Sequence, residues 1–251
     1  MDGADPDRWS AVAAGWAELW GSFAEPVWRA VVAAAGIGPG SWVLDVGCGG
    51  GDLLGYLDRL GAATAGVDPA PGMVALARSR VPAADLRIGD AERLPWPDHT
   101  FDLVASVNAV QFADDTLEAL AEFVRVTRPG GLVAIANWAE GRHNDLDAVE
   151  RAVAYAAGEE PLPDGELREP GGLERLLADG GLDVVAAGLV AVPWYAPDDD
   201  ALVRGVLLGE DPETVAGTAS TVRDAARPFR QPGGGYRLDN AFRYVVGRTP
   251  R

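Results

Sequence analysis

Val43-Leu44-Asp45-Val46-Gly47-Cys48-Gly49-Gly50-Gly51-Asp52 is the stretch on which the reading of this chain turns. A short apolar run carries one acidic residue, Asp45, and glycines then recur at alternate positions before a helical pattern begins at Leu53. That order reads as strand, tight turn, helix. At Gly47, Gly49 and Gly51 no Cβ blocks the approach of a bulky ligand and φ is free to turn positive, so the turn suits a cofactor lying across the strand's carboxyl end. A dinucleotide fingerprint starting at Gly47 needs its third glycine at position 52, which is Asp52. A phosphate-cradling loop needs Gly-Lys-Ser/Thr, and the chain contains no lysine. What remains is D-x-G-x-G-x-G, with a purely structural strand-to-helix turn as the alternative.

The 251 residues, 48% apolar and 24% charged, suffice for one well-filled α/β domain. No run of about 18 uncharged apolar residues occurs, and Met1–Asp7 lacks the basic start and apolar core of a signal peptide, so a cytoplasmic protein with no membrane partner is expected. Cys48 is the single cysteine, which excludes an internal disulfide, and with only His99 and His143 beside it no structural zinc site of the usual ligands can be assembled; no metal is expected. The net charge is −17 and its 21 basic residues are all arginine, so nucleic acid and anionic membranes are repelled. Without lysine there is no Schiff-base chemistry.

Trp9, Trp16 and Trp20 recur on one face of a helix expected over residues 7–20, either docked on the domain or closing over a bound small molecule. A second helix is expected to start at Glu25-Pro26 and end near Gly36. From 36 to 138 short apolar strands (42–46, 64–68, 85–88, 101–106, 131–138) alternate with helical patterns, which predicts a parallel sheet covered on both faces. Its ligand is then sought outside the strands' carboxyl ends. There the second strand ends at Asp68-Pro69, where a carboxylate can accept hydrogen bonds from a ribose or cap the following helix. The third leads into Ile88-Gly89-Asp90-Ala91-Glu92-Arg93-Leu94-Pro95-Trp96-Pro97-Asp98, and the fourth, from Phe101 to Ser106, into Asn108 and Gln111. Further on, helices are expected over 145–158, around Leu173–Leu177, and over 198–208 and 212–227, with strands over 182–192 and 242–246.

These segments together resemble the class I S-adenosylmethionine (SAM) dependent methyltransferases, in particular the ubiquinone/menaquinone methyltransferase-like group acting on small molecules. The match covers the glycine turn, G-D-A-x-x-L-P-F-P-D with Trp96 for the frequent phenylalanine, F-D-x-V-x-S, and the R-P-G-G turn at Arg128–Gly131. The resemblance implies a Rossmann-like α/β fold, seven strands mostly parallel with the last antiparallel. It implies SAM as cofactor and S-adenosylhomocysteine as product. By the same resemblance Asp45, Gly47, Gly49 and Gly51 face the methionine end, Asp68 holds the ribose, Met73, Asp90 and Ala91 meet the adenine, and Asn108 stands by the sulfonium. The chain is then one domain, with an N-terminal helical lid (1–35), a SAM-binding core (36–138) and acceptor-cap insertions (139–181 and 196–235).

The sulfonium already activates its methyl group, so the protein's main task is to align an acceptor and exclude water, and a base is optional. His143, following the fifth strand, is the first candidate base, with Glu140, Tyr155 and Tyr195 behind it. Trp16, Gln111 and Trp138 are expected to meet the acceptor, and Trp194 and Tyr195 are further candidates for an aromatic pocket; Trp138, Trp194 and Tyr195 read equally well as core. The expected function is methyl transfer to an O, N or C atom of a small organic molecule, of the secondary-metabolite kind. Two alternatives stand beside it: a non-methylating reaction such as cyclisation, hydroxylation or decarboxylation with SAM bound, and a non-catalytic SAM-binding partner subunit. The acceptor's identity and the oligomeric state stay open.

Overall fold

The computed structural model describes residues 5–251; Met1–Ala4, part of the leader reading above, lie outside the described residues. Asp5 accepts from the backbone N–H groups of Asp7 and Arg8, and with Pro6 in the first turn it starts α1 (Pro6–Leu19). Helix α2 (Glu25–Ala35) ends on Gly36, whose φ of 66° closes it in the left-handed conformation. There follow β1 (Trp42–Val46), α3 (Asp52–Arg59), β2 (Ala63–Asp68), α4 (Pro71–Arg80), β3 (Asp85–Ile88), β4 (Phe101–Val107), α5 (Thr116–Val126) and β5 (Thr127–Trp138). The remainder is α6 (Asp145–Ala156), α7 (Gly172–Asp179), β6 (Asp183–Ala191), β7 (Trp194–Ala196), α8 (Asp199–Val206), α9 (Pro212–Ala225), β8 (Tyr236–Leu238) and β9 (Ala241–Arg248).

The main sheet has seven strands in the order β3-β2-β1-β4-β5-β9-β6. Strands β1 to β5 run parallel, and β9 pairs antiparallel with both β5 and β6. This is the mixed, mostly parallel Rossmann-like sheet expected from the strand spacing. Successive residues of β1 serve opposite faces: Leu44 joins the cluster around Phe101, Phe123 and Leu173, and Val43 the cluster around Val27, Trp28 and Phe242. Burial on both faces is why these strands read as continuous apolar runs. The order reverses between β1 and β4, so a crevice opens at their carboxyl ends.

Two elements differ from expectation. Arg128-Pro129-Gly130-Gly131 is no break before the fifth strand: β5 already begins at Thr127, opposite Phe101, and the four residues bulge out before Leu132 pairs with Leu103. The bulge is held from the far end of the chain, since Gly130 N–H donates to Pro250 O (3.0 Å) and Thr249 N–H to Gly131 O (3.0 Å). A small antiparallel sheet of β7 and β8 was also unforeseen. It adjoins a group of helices in which α6 packs on α9 and α9 on α8. The pleat of β7 settles the two aromatic pocket candidates there. Trp194 turns inward to stack on Trp20 (4.3 Å, 7°) and donates to Leu19 O (2.7 Å), whereas Tyr195 points outward and is 60% exposed. Among the described helices none is long and apolar enough to cross a membrane.

Candidate functional site

The turn after β1 is pinned to β2, because the N–H groups of Gly47 and Cys48 both donate to Val67 O (2.8 and 3.0 Å). Gly47 has φ 75° and Gly49 φ 50°, conformations that L side chains rarely adopt. A Cβ on Gly47 would fall on Ala109 Cβ, whereas one on Gly49 would meet nothing within 4 Å. Asp68 anchors the far side of the turn: its carboxylate accepts from Gly49 N–H (2.9 Å) and Ala70 N–H (2.9 Å). The turn runs straight into α3, whose N-terminus follows Gly51.

Above these strand ends lies a cleft of about 610 Å³. Asp45, Gly47, Asp68, Met73, Asp90, Ala91 and Asn108 all line it, so the sequence-predicted cofactor residues from four strand ends converge on one space; Gly49 and Gly51 shape the turn behind it. Helix α1 closes the cleft with Pro6, Trp9 and Trp16, docked by Ser10, whose hydroxyl accepts from Gly72 N–H at the start of α4 (3.0 Å). The Ser106 hydroxyl, also lining the cleft, is buried without a partner among the described residues.

The electrostatics of this cleft are one-sided. Asp45, Asp52, Asp68, Asp90, Glu92 and Glu118 are among its lining residues, against Arg93 as the only cation of the described lining. Burial raises the Asp68 carboxyl, opposed by its two backbone donors. Burial, with Asp68 and Asp52 nearby, pushes the Asp45 carboxyl up to about 8. Such a lining suits a ligand with net positive charge and with hydroxyl and amine donors, as SAM has, and opposes a phosphate-bearing dinucleotide. A proton-linkage prediction follows. Asp45 is largely protonated at pH 7 without ligand, and a cation beside it favours the ionised form. SAM binding should therefore release close to one proton at pH 7, with affinity rising as pH climbs toward 8 and levelling above it. Calorimetry in buffers of different ionisation enthalpy measures this, and Asp45→Asn should abolish the release.

A second cavity, of about 580 Å³, shares Trp9, Trp16, Asn108 and Phe112 with the cleft. Asn108 sits at the seam with φ 55°, its N–H donating to Ala136 O (2.8 Å), and its side-chain oxygen accepts from Gln111 Nε2 (2.9 Å). Gln111 Oε1 is left buried with no partner among the described residues. Trp16, Gln111 and Trp138, the residues expected to meet an acceptor, all line this cavity. Of the candidate bases, His143 lies on the Gly141–His143 turn outside the described lining of both spaces, its Nε2 accepting from Arg142 Nε (3.1 Å). Glu140 is ion-paired with Arg243 (2.6 Å) and Arg142 (2.7 Å), and Tyr155 is 66% exposed.

Sequence reasoning missed one titratable group, Glu150 on α6. It lines the second cavity from an exposed flank of α6; burial at the cavity wall first, then neighbouring Asp147, raise its carboxyl, with Arg168 opposing. The available signal was helical spacing: Leu146, Val149 and Val153 pack inward on α6, which leaves Glu150 at the flank of the buried stripe beside Asp147.

A family model described as a methyltransferase domain matches residues 44–135. The chain is 42% identical over 104 residues to a malonyl-[acyl-carrier protein] O-methyltransferase of Yersinia pestis, a match covering 41% of this chain and 39% of that one. It therefore spans about two fifths of the length of the first such relatives. It is 31% identical over 231 residues to a ubiquinone biosynthesis O-methyltransferase of Rhizobium rhizogenes, covering 80% of this chain and 89% of the relative. Among solved structures, the YcgJ protein of Bacillus subtilis superposes with a TM-score of 0.60 at 17% identity, over 89% of this chain and 98% of that one, a likeness of fold.

Proposed function

This chain belongs to the class I SAM-dependent methyltransferases, and on that premise we propose that it transfers a methyl group from SAM to an oxygen of a small organic molecule. The observation that carries the reading is the junction at Asn108 of an acidic cleft matched to SAM with an aromatic cavity of acceptor size. Bound SAM supplies a methyl carbon made electrophilic by the positive sulfur beside it. Asp68, which holds the glycine turn in place, would accept from the ribose hydroxyls, and Asp90, the Ala91 backbone and Met73 would hold the adenine. Gly47, Gly49 and Gly51 keep backbone low under the methionine end, and Asp45 supplies negative charge there. Asn108, braced by Gln111, orients the acceptor oxygen, and Trp16 and Trp138 hold the acceptor's body.

Helix α1, with α6, the Gly165–Arg168 segment and the end of α8 from the insertions 139–181 and 196–235, acts as lid and cap over the meeting point and excludes water from it. The acidic surface and the aromatic cavity favour a small-molecule partner over nucleic acid. Titration calorimetry tests the cofactor: micromolar binding of SAM and S-adenosylhomocysteine is expected, and no heat with NAD. A folded chain that binds neither of the first two refutes the proposal.

A further inference from the structure

We propose that the free edge of β6 is a dimer interface, on which a second copy of this chain adds its own β6 antiparallel about a two-fold axis at Leu189. The main sheet ends in β3 on one side and β6 on the other. The β3 edge is blunted: it is four residues long, Asp85 and Arg87 pair on it (2.8 Å), and the Arg87 guanidinium lies over the Trp96 ring (4.5 Å). The β6 edge has none of these guards. It is nine residues long and carries no charge from Val184 to Ala191. Three of the eight large apolar side chains exposed among the described residues, Val184, Val185 and Leu189, lie on this one strand.

Backbone direction makes the occupant a strand. Val192 N–H donates to Asn240 O (2.7 Å), and the register with β9 is unbroken from Ala186 to Ala191. Bonding direction alternates along an antiparallel ladder, so Ala186, Gly188 and Val190 turn their N–H and C=O groups toward β9, and Ala187, Leu189 and Ala191 turn theirs out. Ala241, opposite Ala191, is accordingly bonded on its other side, accepting from Ala139 N–H (2.9 Å). Two ladder breakers then make that strand a second copy. Val185 is an extra residue where the register slips between Val184 and Ala186, and Pro193 has no N–H to offer. They stand four residues to either side of Leu189. A two-fold axis there sets Leu189 opposite its counterpart and Ala187 opposite Ala191, which exchanges about six backbone hydrogen bonds. It also sets the bulge of each copy against the proline of the other, so both strands stop pairing at the same point. A strand of unrelated sequence need share neither that spacing nor that register. No charge falls within the paired segment, and Ala186 and Val190 stay packed against the core on the α2 side.

Sedimentation equilibrium of the whole chain tests this, in about 0.3 M salt to screen the repulsion between two chains of net charge −17. Between about 1 and 300 µM the wild type should pass from monomer to dimer, with a dissociation constant on the order of 10 µM for so narrow an interface. Leu189→Lys and Leu189→Glu each place like charges opposite one another at the axis and should weaken the dimer about 10- to 100-fold. An equimolar mixture of the two should bring it back, because only at a two-fold axis does a residue face itself. Leu189 is exposed, so both variants should melt within a few degrees of the wild type. A second measurement needs no variant: amide hydrogen exchange at Ala187, Leu189 and Ala191 should slow as wild-type concentration rises, while that at Gly188 and Val190, already bonded to β9, stays constant. A wild type still monomeric at about 300 µM overturns the proposal. So does a dimer that Leu189→Lys leaves intact, a mixture that stays monomeric, or exchange at Ala187, Leu189 and Ala191 that ignores concentration.

Discussion

Asp68→Ala should lower affinity for SAM and S-adenosylhomocysteine by about 10²- to 10³-fold while leaving a folded protein. The carboxylate has two jobs. It holds Gly49 N–H and Ala70 N–H at 2.9 Å each, and under the proposed function it also accepts from the ribose hydroxyls. Charge-assisted hydrogen bonds are worth about 1.5–3 kcal/mol each, so loss of two to the ribose amounts to about 10²- to 10⁴-fold, and water replacing the carboxylate keeps the expected loss in the lower part of that range. The effect on the ligand-free protein is smaller because two terms oppose. Two backbone donors lose their acceptor, but Asp45 loses a like-charged neighbour that helps to raise its carboxyl. Titration calorimetry beside a thermal melt separates these: a large loss of affinity with a melting temperature shifted by only a few degrees is expected. Unchanged affinity would remove Asp68 from the cofactor site.

That prediction rests on residues legible in the sequence, and the reason is geometric. In a parallel sheet the strand ends come together, so the short motifs at Asp45, Asp68, Asp90 and Asn108 each fall on the same cleft wherever the intervening helices go. The central strands β1, β2, β4 and β5 were equally legible, since burial on both faces writes an apolar run into each. The acceptor side lacks any such rule. Its cavity is built by α1, the turn after β4, the end of β5, α6 and the Gly165–Arg168 segment, which meet through tertiary packing of long side chains. That Glu150, an exposed carboxylate on a helix flank, also lines this cavity was invisible for this reason. Trp194 was readable as pocket or as core, and the pleat of a three-residue strand, which no periodicity encodes, turns it into the core. His143 attracted attention by residue type, whereas its placement depends on a short turn after β5 that no periodicity encodes.

Gly47→Ala is expected to destabilise the protein by about 3 kcal/mol and to cut SAM affinity by more than about 100-fold, and the source of each loss can be separated. Left-handed backbone costs an L residue about 1–2 kcal/mol, and Gly47 has φ 75°. The new methyl would also land on Ala109 Cβ, a clash that overpacking estimates place at about 1–3 kcal/mol. Relief requires the Ala109 segment to retreat, and Asn108 precedes it at the seam between the two cavities, so the strain falls where cofactor and acceptor meet. Ala109→Gly removes the opposing methyl and leaves Ala109 Cα as the next atom, at 3.6 Å, ordinary contact. The double variant Gly47→Ala/Ala109→Gly should therefore recover the clash component and part of the SAM affinity while still paying the φ term and the entropy of a new glycine. Denaturant unfolding of the four proteins of the cycle gives a coupling of about 1–3 kcal/mol if the two residues oppose each other as described. Additivity within about 0.5 kcal/mol would mean that the backbone conformation alone demands glycine, and that Asn108 is held by its bond to Ala136 rather than by the turn against it.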